Sequence, residues 1–122
     1  MQLSPHFTSQ EFRSADGFGV PLAHANQLRR LCVIYLEPLR SEFGPVKITS
    51  GFRSLSYNKE VGGAPQSFHT RISGRLGVAA DVIPSRGKPS DWYRFLDHLE
   101  PGGLGLYATH VHIDTRRSRA RW

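Results

Sequence analysis

One cysteine is too few to cross-link a chain. Cys32 stands alone, so an internal disulfide and any thiolate-based zinc framework are excluded. No stretch is long and apolar enough to span a membrane. The opening residues, Met1 to His6, carry neither a basic start nor an apolar run, and no secretory signal is visible in them. No internal repeat is present. Acidic residues are also in short supply, 10 against 16 lysines and arginines, which leaves a net charge of +6. A basic excess of this kind points to a polyanionic partner, either nucleic acid or an anionic wall or membrane surface. Much of it sits in Arg116, Arg117, Arg119 and Arg121, which read as a basic C-terminal tail over residues 116–122. Only Trp122 is aromatic there, so a stacking surface for single-stranded nucleic acid is poorly supplied.

At 122 residues the chain is large enough for one real core, and the reading is a single domain over 1–122. Residues Leu3 to Val20 form an irregular arm with a helical turn at Ser9 to Phe12. Pro21 to Phe43 is the main helical segment, with Pro21 in a first helical position and Leu28, Leu31, Tyr35, Leu39 and Phe43 on one face. Pro38 lacks the backbone donor that a continuous helix requires, so a kink is expected there. Val46 to Ser50 alternates as a strand does, Ser56 to Val61 is a short helix, and Ala64 to Leu76 is loop. Gly77 to Ile83 reads as a buried strand, Ser90 as the cap of a helix bearing Trp92, Phe95, Leu96 and Leu99, and Leu104 to Tyr107 as a strand pairing with His110 to Thr115.

Two features of this layout call for chemistry. Asp81 lies inside an apolar strand, where an acid is costly unless paired or bound to a metal. In His110-Val111-His112-Ile113-Asp114, alternation turns two imidazoles and a carboxylate to one face and Val111 and Ile113 to the other. With Ser67-Phe68-His69 upstream, His69, Asp81 and His112 can supply two nitrogens and one oxygen, the donor set of a three-ligand catalytic zinc site with room for water. His110 is left over as a general acid or base. Arg53 can offer a planar fork to a carboxylate or a developing oxyanion.

The same stretches resemble a known family. Ser50-Gly51-Phe52-Arg53-Ser54, Asn58, VGGAPQSFH at Val61 to His69, GVAAD at Gly77 to Asp81, and GLGLY with HVHID over Gly103 to Asp114 follow in order the motifs of the M15 zinc peptidases. The likeness is to the D-Ala-D-Ala carboxypeptidases and related peptidoglycan peptidases of the H-x-H branch. It covers about three quarters of the chain, by sequence pattern. It implies an α+β fold of the DD-peptidase/hedgehog kind, in which a small antiparallel sheet carries a zinc site and helices pack on its other side. It further implies zinc ligation by His69, Asp81 and His112, substrate contact by Arg53 and acid/base work by His110. Supporting places fall to Asp114, which would orient a ligand, and to Ser67 and Asn58, near the loop or substrate.

One departure stands out. Thr70 to Leu76 separates His69 from Gly77, about five residues more than relatives use, although loop closure costs rise only slowly with length. Thr109 occupies the position where ExxH branches carry a glutamate base. The expected activity is hydrolysis of stem or cross-link peptides by a carboxypeptidase or endopeptidase, expected to be a monomer. Short length and the missing signal suit a phage lysis or virion-associated enzyme, made in the cytoplasm and acting on the wall after release. The arginine-rich tail is expected to contact anionic surfaces without entering the chemistry. Two other classes remain compatible with the residues: a zinc-containing wall-binding module without turnover, and a basic nucleic-acid-binding protein.

Overall fold

The computed structural model describes residues 1–64, 67–70 and 77–122. The chain begins with a two-stranded antiparallel hairpin, β1 (Gln2–Ser4) and β2 (Phe7–Thr8), followed by a 3-10 turn at Ser9–Phe12. The long helical segment comprises α1 (Leu22–Leu31), a π-helical turn at Cys32–Leu36, and α2 (Glu37–Phe43). Then come β3 (Val46–Ser50), α3 (Leu55–Glu60), β4 (Ala79–Pro84), α4 (Pro89–His98), β5 (Gly103–Leu106), β6 (Val111–Asp114) and β7 (Ala120–Arg121). Pro65, Gln66 and residues 71–76, hence part of the VGGAPQSFH motif and of the expected 64–76 loop, lie outside the described residues.

Among the described residues the main sheet has five strands in the order β3-β4-β6-β5-β7, antiparallel except for the parallel pair β5/β7. Alternation sorts its two faces. Ala80, Val82, Leu104, Val111 and Ile113 are fully buried and join Leu28, Leu31, Leu36, Leu39, Trp92 and Leu96 of the helices in one core. The opposite face of the central strands carries Asp81, His112 and Asp114. The architecture is therefore α+β, a small, mostly antiparallel sheet with α1, α2 and α4 packed on one face.

The helical segment departs from its expected course for a clear reason. Pro38 has no N–H to return to the carbonyl four residues back. The ladder widens ahead of it, and Glu37 N–H bonds to the Cys32 carbonyl, five residues earlier. The extra residue in that turn rotates the buried stripe by one position. Leu36 is fully buried where Tyr35 was expected, and Tyr35 is only half-buried. Pro21 precedes the first helical residue instead of occupying it. Gly44, with φ of 83°, ends α2.

Helix α4 is capped differently from the sequence reading. Ser90 lies within the first turn. The Asp91 carboxylate accepts the Lys88 N–H at 3.0 Å, and Pro89 enters as the first helical residue. Trp92 and Leu96 are buried, and Phe95 meets Phe43 edge to face at 5.7 Å.

The C-terminal residues return to the sheet. Ala120 N–H bonds to the Gly102 carbonyl at 2.9 Å, and Trp122 N–H to Leu104 at 3.1 Å. Arg121 reaches the Asp97 carboxylate at 2.8 Å and three backbone carbonyls, those of Pro101, Gly102 and Ala120. Arg117 and Arg119 are exposed.

Candidate metal centre

The centre is built on one cross-strand row. In the register of β4 and β6, Asp81 lies directly opposite His112, which places their side chains as close neighbours on the polar face. Ser50 is opposite Asp81 on one side and Gly105 opposite His112 on the other. A bulge in β3 between Ile48 and Ser50 brings Ser50 into that row and bends the strand where it meets the site.

His69 arrives from outside the sheet. Its segment is docked by the Arg53 N–H, which bonds to the His69 carbonyl at 2.8 Å. Its ring is aimed by Nδ1, 2.7 Å from the Gly51 carbonyl. A carbonyl only accepts, so Nδ1 carries the hydrogen. Nε2, the other ring nitrogen, faces Asp81 Oδ1 at 3.4 Å. Ser67 shapes the preceding turn, its Oγ accepting the His69 N–H at 3.2 Å.

His112 is held from both ends. Nδ1 lies 3.0 Å from Asp81 Oδ1, and Nε2 lies 2.8 Å from Asp114 Oδ2. Burial favours the neutral imidazole, yet these two carboxylates outweigh it and hold the proton affinity of His112 above its ordinary value. The carboxyls respond in kind. Burial would raise Asp81, but bonds with His112 and His69 bring it well below the usual carboxylate range. Burial would raise Asp114, but His112 and Arg116 bring it down in the same way.

One ligand atom each from His69, Asp81 and His112 lies within 4.8 Å of the others. The donor set is two imidazole nitrogens and a carboxylate oxygen, which suits zinc. The outer contacts suit it too. Each histidine gives its second ring nitrogen to an acceptor, Gly51 carbonyl for His69 and Asp114 for His112, which fixes tautomer and ring orientation as metal-bound histidines require. The surrounding carboxylates favour positive charge between the three groups. The residues present therefore fit a zinc ion.

Of the remaining residues singled out by sequence, Arg53 approaches the cluster, with Nη2 3.9 Å from Asp81 Oδ2 and Nε 3.2 Å from Ser50 Oγ. Asn58 is buried beside it, receiving Arg53 Nη1 at 3.4 Å and donating to the Ala64 carbonyl at 2.9 Å. His110 immediately precedes β6. Its ring stacks on Tyr107 with centroids 4.5 Å apart and 7° between planes, and Nδ1 faces Thr109 Oγ1 at 3.2 Å.

Sequence reasoning missed the far side of the centre. Arg116 grips the fully buried Asp114 carboxylate, with Nη2 to Oδ2 at 2.6 Å and Nε to Oδ1 at 2.8 Å. Trp122 lays its indole 5.1 Å from the His112 ring and donates Nε1–H to Tyr107 Oη at 2.8 Å. Gly103 and Gly105 make this possible. A Cβ on Gly103 would lie 2.2 Å from Asp114 Oδ2, and one on Gly105 would lie 2.5 Å from Trp122 Nε1. No sequence signal marked Arg116 or Trp122, since Arg116 stands in a run of arginines beyond the end of β6.

Comparison with curated proteins returns no match. The model of the Peptidase M15 family, by contrast, matches residues 5–114, a span that includes all three members of the cluster and the strands β4 and β6 that hold two of them. The chain thus belongs to the M15 peptidases.

Proposed function

We propose that this peptidase is zinc-dependent and hydrolyses the stem or cross-link peptides of peptidoglycan, as a D-Ala-D-Ala carboxypeptidase or an endopeptidase. The observation that carries the reading is the convergence of His69, Asp81 and His112 in an M15 chain. Those three side chains would hold the ion. When bound, zinc polarises a scissile carbonyl and lowers the pKa of bound water to about 7.

The chain's own residues supply the rest. His110 would act through Nε2, because Nδ1 is turned to Thr109. It would take a proton from the attacking water and return it to the leaving amine. Stacking on Tyr107 restrains that ring in one plane. Arg53, held by Ser50 and Asn58, would present its guanidinium to a substrate carboxylate or to the oxyanion formed as the peptide bond is attacked. Asp114 would keep His112 oriented, Ser67 would hold the turn that carries His69, and Asn58 would hold the Arg53 guanidinium. The exposed Arg117 and Arg119, with the net charge of +6, support attraction to an anionic cell-wall polymer.

The test is digestion of purified peptidoglycan, with released fragments identified by mass spectrometry, alongside elemental analysis of the protein. Wild type should carry about one zinc per chain, as a single three-ligand site requires, and should release peptide fragments. Asp81→Ala and His112→Ala should lose metal and fragments together. Full zinc retention by both variants would reassign the site. Zinc without any released fragment would leave a wall-binding module.

A further inference from the structure

Asp114 is completely buried, and three groups meet on its carboxylate: His112 Nε2, the Arg116 guanidinium, and the Arg116 backbone N–H at 3.1 Å. A buried carboxylate with that many donors has little freedom to turn. Its orientation fixes where the His112 ring points.

The same guanidinium has a second set of contacts. Its carbon lies 4.6 Å from the centroid of the Phe68 ring and 5.2 Å from that of Trp122. Phe68 immediately precedes His69, and Trp122 rests on His112. One side chain therefore touches the supports of both histidines, through a bidentate ion pair on one side and aromatic faces on the others. Arg116 and Trp122 both lie beyond residue 114, where the family match ends.

We propose that Arg116, backed by Trp122, is a positioning residue of the metal centre, setting His112 through Asp114 and the His69 segment through Phe68. This rests on the zinc reading above. It makes the C-terminal segment part of the centre and not an appended basic tail. Its sign differs from that of simple electrostatics. Removing a nearby positive charge should by itself tighten binding of a cation. Removing a positioning group should weaken it.

The experiment is competition for zinc between the full-length protein and a chromogenic chelator, with the absorption spectrum of the cobalt(II)-loaded protein as a report on ligand geometry. Arg116→Met should raise the zinc dissociation constant roughly 10- to 100-fold, the usual penalty for losing an outer-shell partner, and should alter the cobalt bands. Arg116→Lys retains the charge but has neither fork nor flat face, and should fall between. Trp122→Leu should also weaken binding. Arg117→Met, the same charge change on an exposed neighbour, should bind as wild type does. Arg116→Met combined with Asp114→Asn should cost less than the sum of the two. Wild-type affinity in Arg116→Met, or tighter binding, would overturn the proposal while leaving the zinc reading intact. Should Arg116→Met not fold, Arg116→Lys carries the same test, and wild-type affinity there is equally fatal. A wild-type chain that takes up no zinc would sink the metal reading and this proposal together.

Discussion

Adding one methyl group at Gly103 should damage the centre from the neighbouring strand. Gly103 is the register partner of Asp114, and its φ is not in the left-handed region, so alanine meets no backbone strain there. It meets the carboxylate. The new Cβ would stand 2.2 Å from Oδ2, 2.4 Å from Oδ1 and 2.5 Å from Cγ, where ordinary contact begins at 3.4 Å. The carboxylate must retreat by about 1 Å, and at that displacement the bonds to His112 and Arg116 cannot all keep good geometry. Hydrogen bonds to charged groups contribute about 1.5–3 kcal/mol each, so losing one or two predicts a destabilisation of roughly 2–5 kcal/mol. For a domain of this size that corresponds to a fall in melting temperature on the order of 10 °C. The measurement is thermal unfolding followed by circular dichroism in the presence of chelator, so that metal affinity does not enter. Gly19→Ala is the control, since nothing lies within 4 Å of its Cβ; it should stay within about 0.5 kcal/mol of wild type. The same Gly103→Ala protein should bind zinc more weakly. A Gly103→Ala variant that melts with wild type and binds zinc equally would refute the role assigned to Asp114 in holding His112.

Three further outcomes are expected. Burial pushes the Cys32 thiol up to about 12, so the native protein should resist a thiol reagent at pH 8 and react fully in denaturant; rapid native labelling would contradict the burial. Glu37 feels burial raising its carboxyl, but bonds with Ser4 Oγ at 2.6 Å, the His6 ring at 2.7 Å and the His6 N–H at 2.8 Å outweigh it and bring it below its ordinary value. Its contribution is therefore present above the ordinary carboxylate range and lost as pH falls through the lowered value. Glu37→Gln should cost roughly 1 kcal/mol at neutral pH, with the gap to wild type closing in acid; a gap that persists in acid would show that the charge is not responsible. His110→Ala should reduce turnover by ~10²–10⁴-fold with zinc content unchanged. Loss of zinc would make His110 a ligand, and full activity would move the proton transfer to another residue.

The row of Asp81 and His112 was legible because strand periodicity is a strong local signal, and an acid in an apolar strand advertises a partner. Position 36 was not legible. Apolar spacing indicates helix, but the π-helical turn ahead of Pro38 adds a residue that spacing alone does not count, so Leu36 takes the place expected for Tyr35. Ser90 lost the capping position to Lys88 because Asp91 could reach back to its N–H. Arg116 and Trp122 were hidden by their neighbours. In a run of arginines each one looks like solvated charge, and only the fold distinguishes the one that meets a buried carboxylate. The long spacing after His69 also becomes less surprising, since the bonds to Gly51 and Arg53 that fix this residue come from earlier in the chain.

The two edges of the main sheet bear on how the protein behaves at high concentration. An open edge of free backbone donors and acceptors is a template for a strand from another molecule. Among the described residues β3 ends the sheet on one side, with a bulge between Ile48 and Ser50 and an exposed Lys47, so a flat incoming strand meets both a kink and a charge. On the other side β7 is two residues long, followed by Trp122, whose own N–H and carbonyl are already bonded to Leu104 and Leu106. Each edge offers a foreign strand only a short, interrupted register. Disrupting either, by replacing Lys47 with an apolar residue or by prising β7 from β5, is expected to open a route to strand-mediated aggregation.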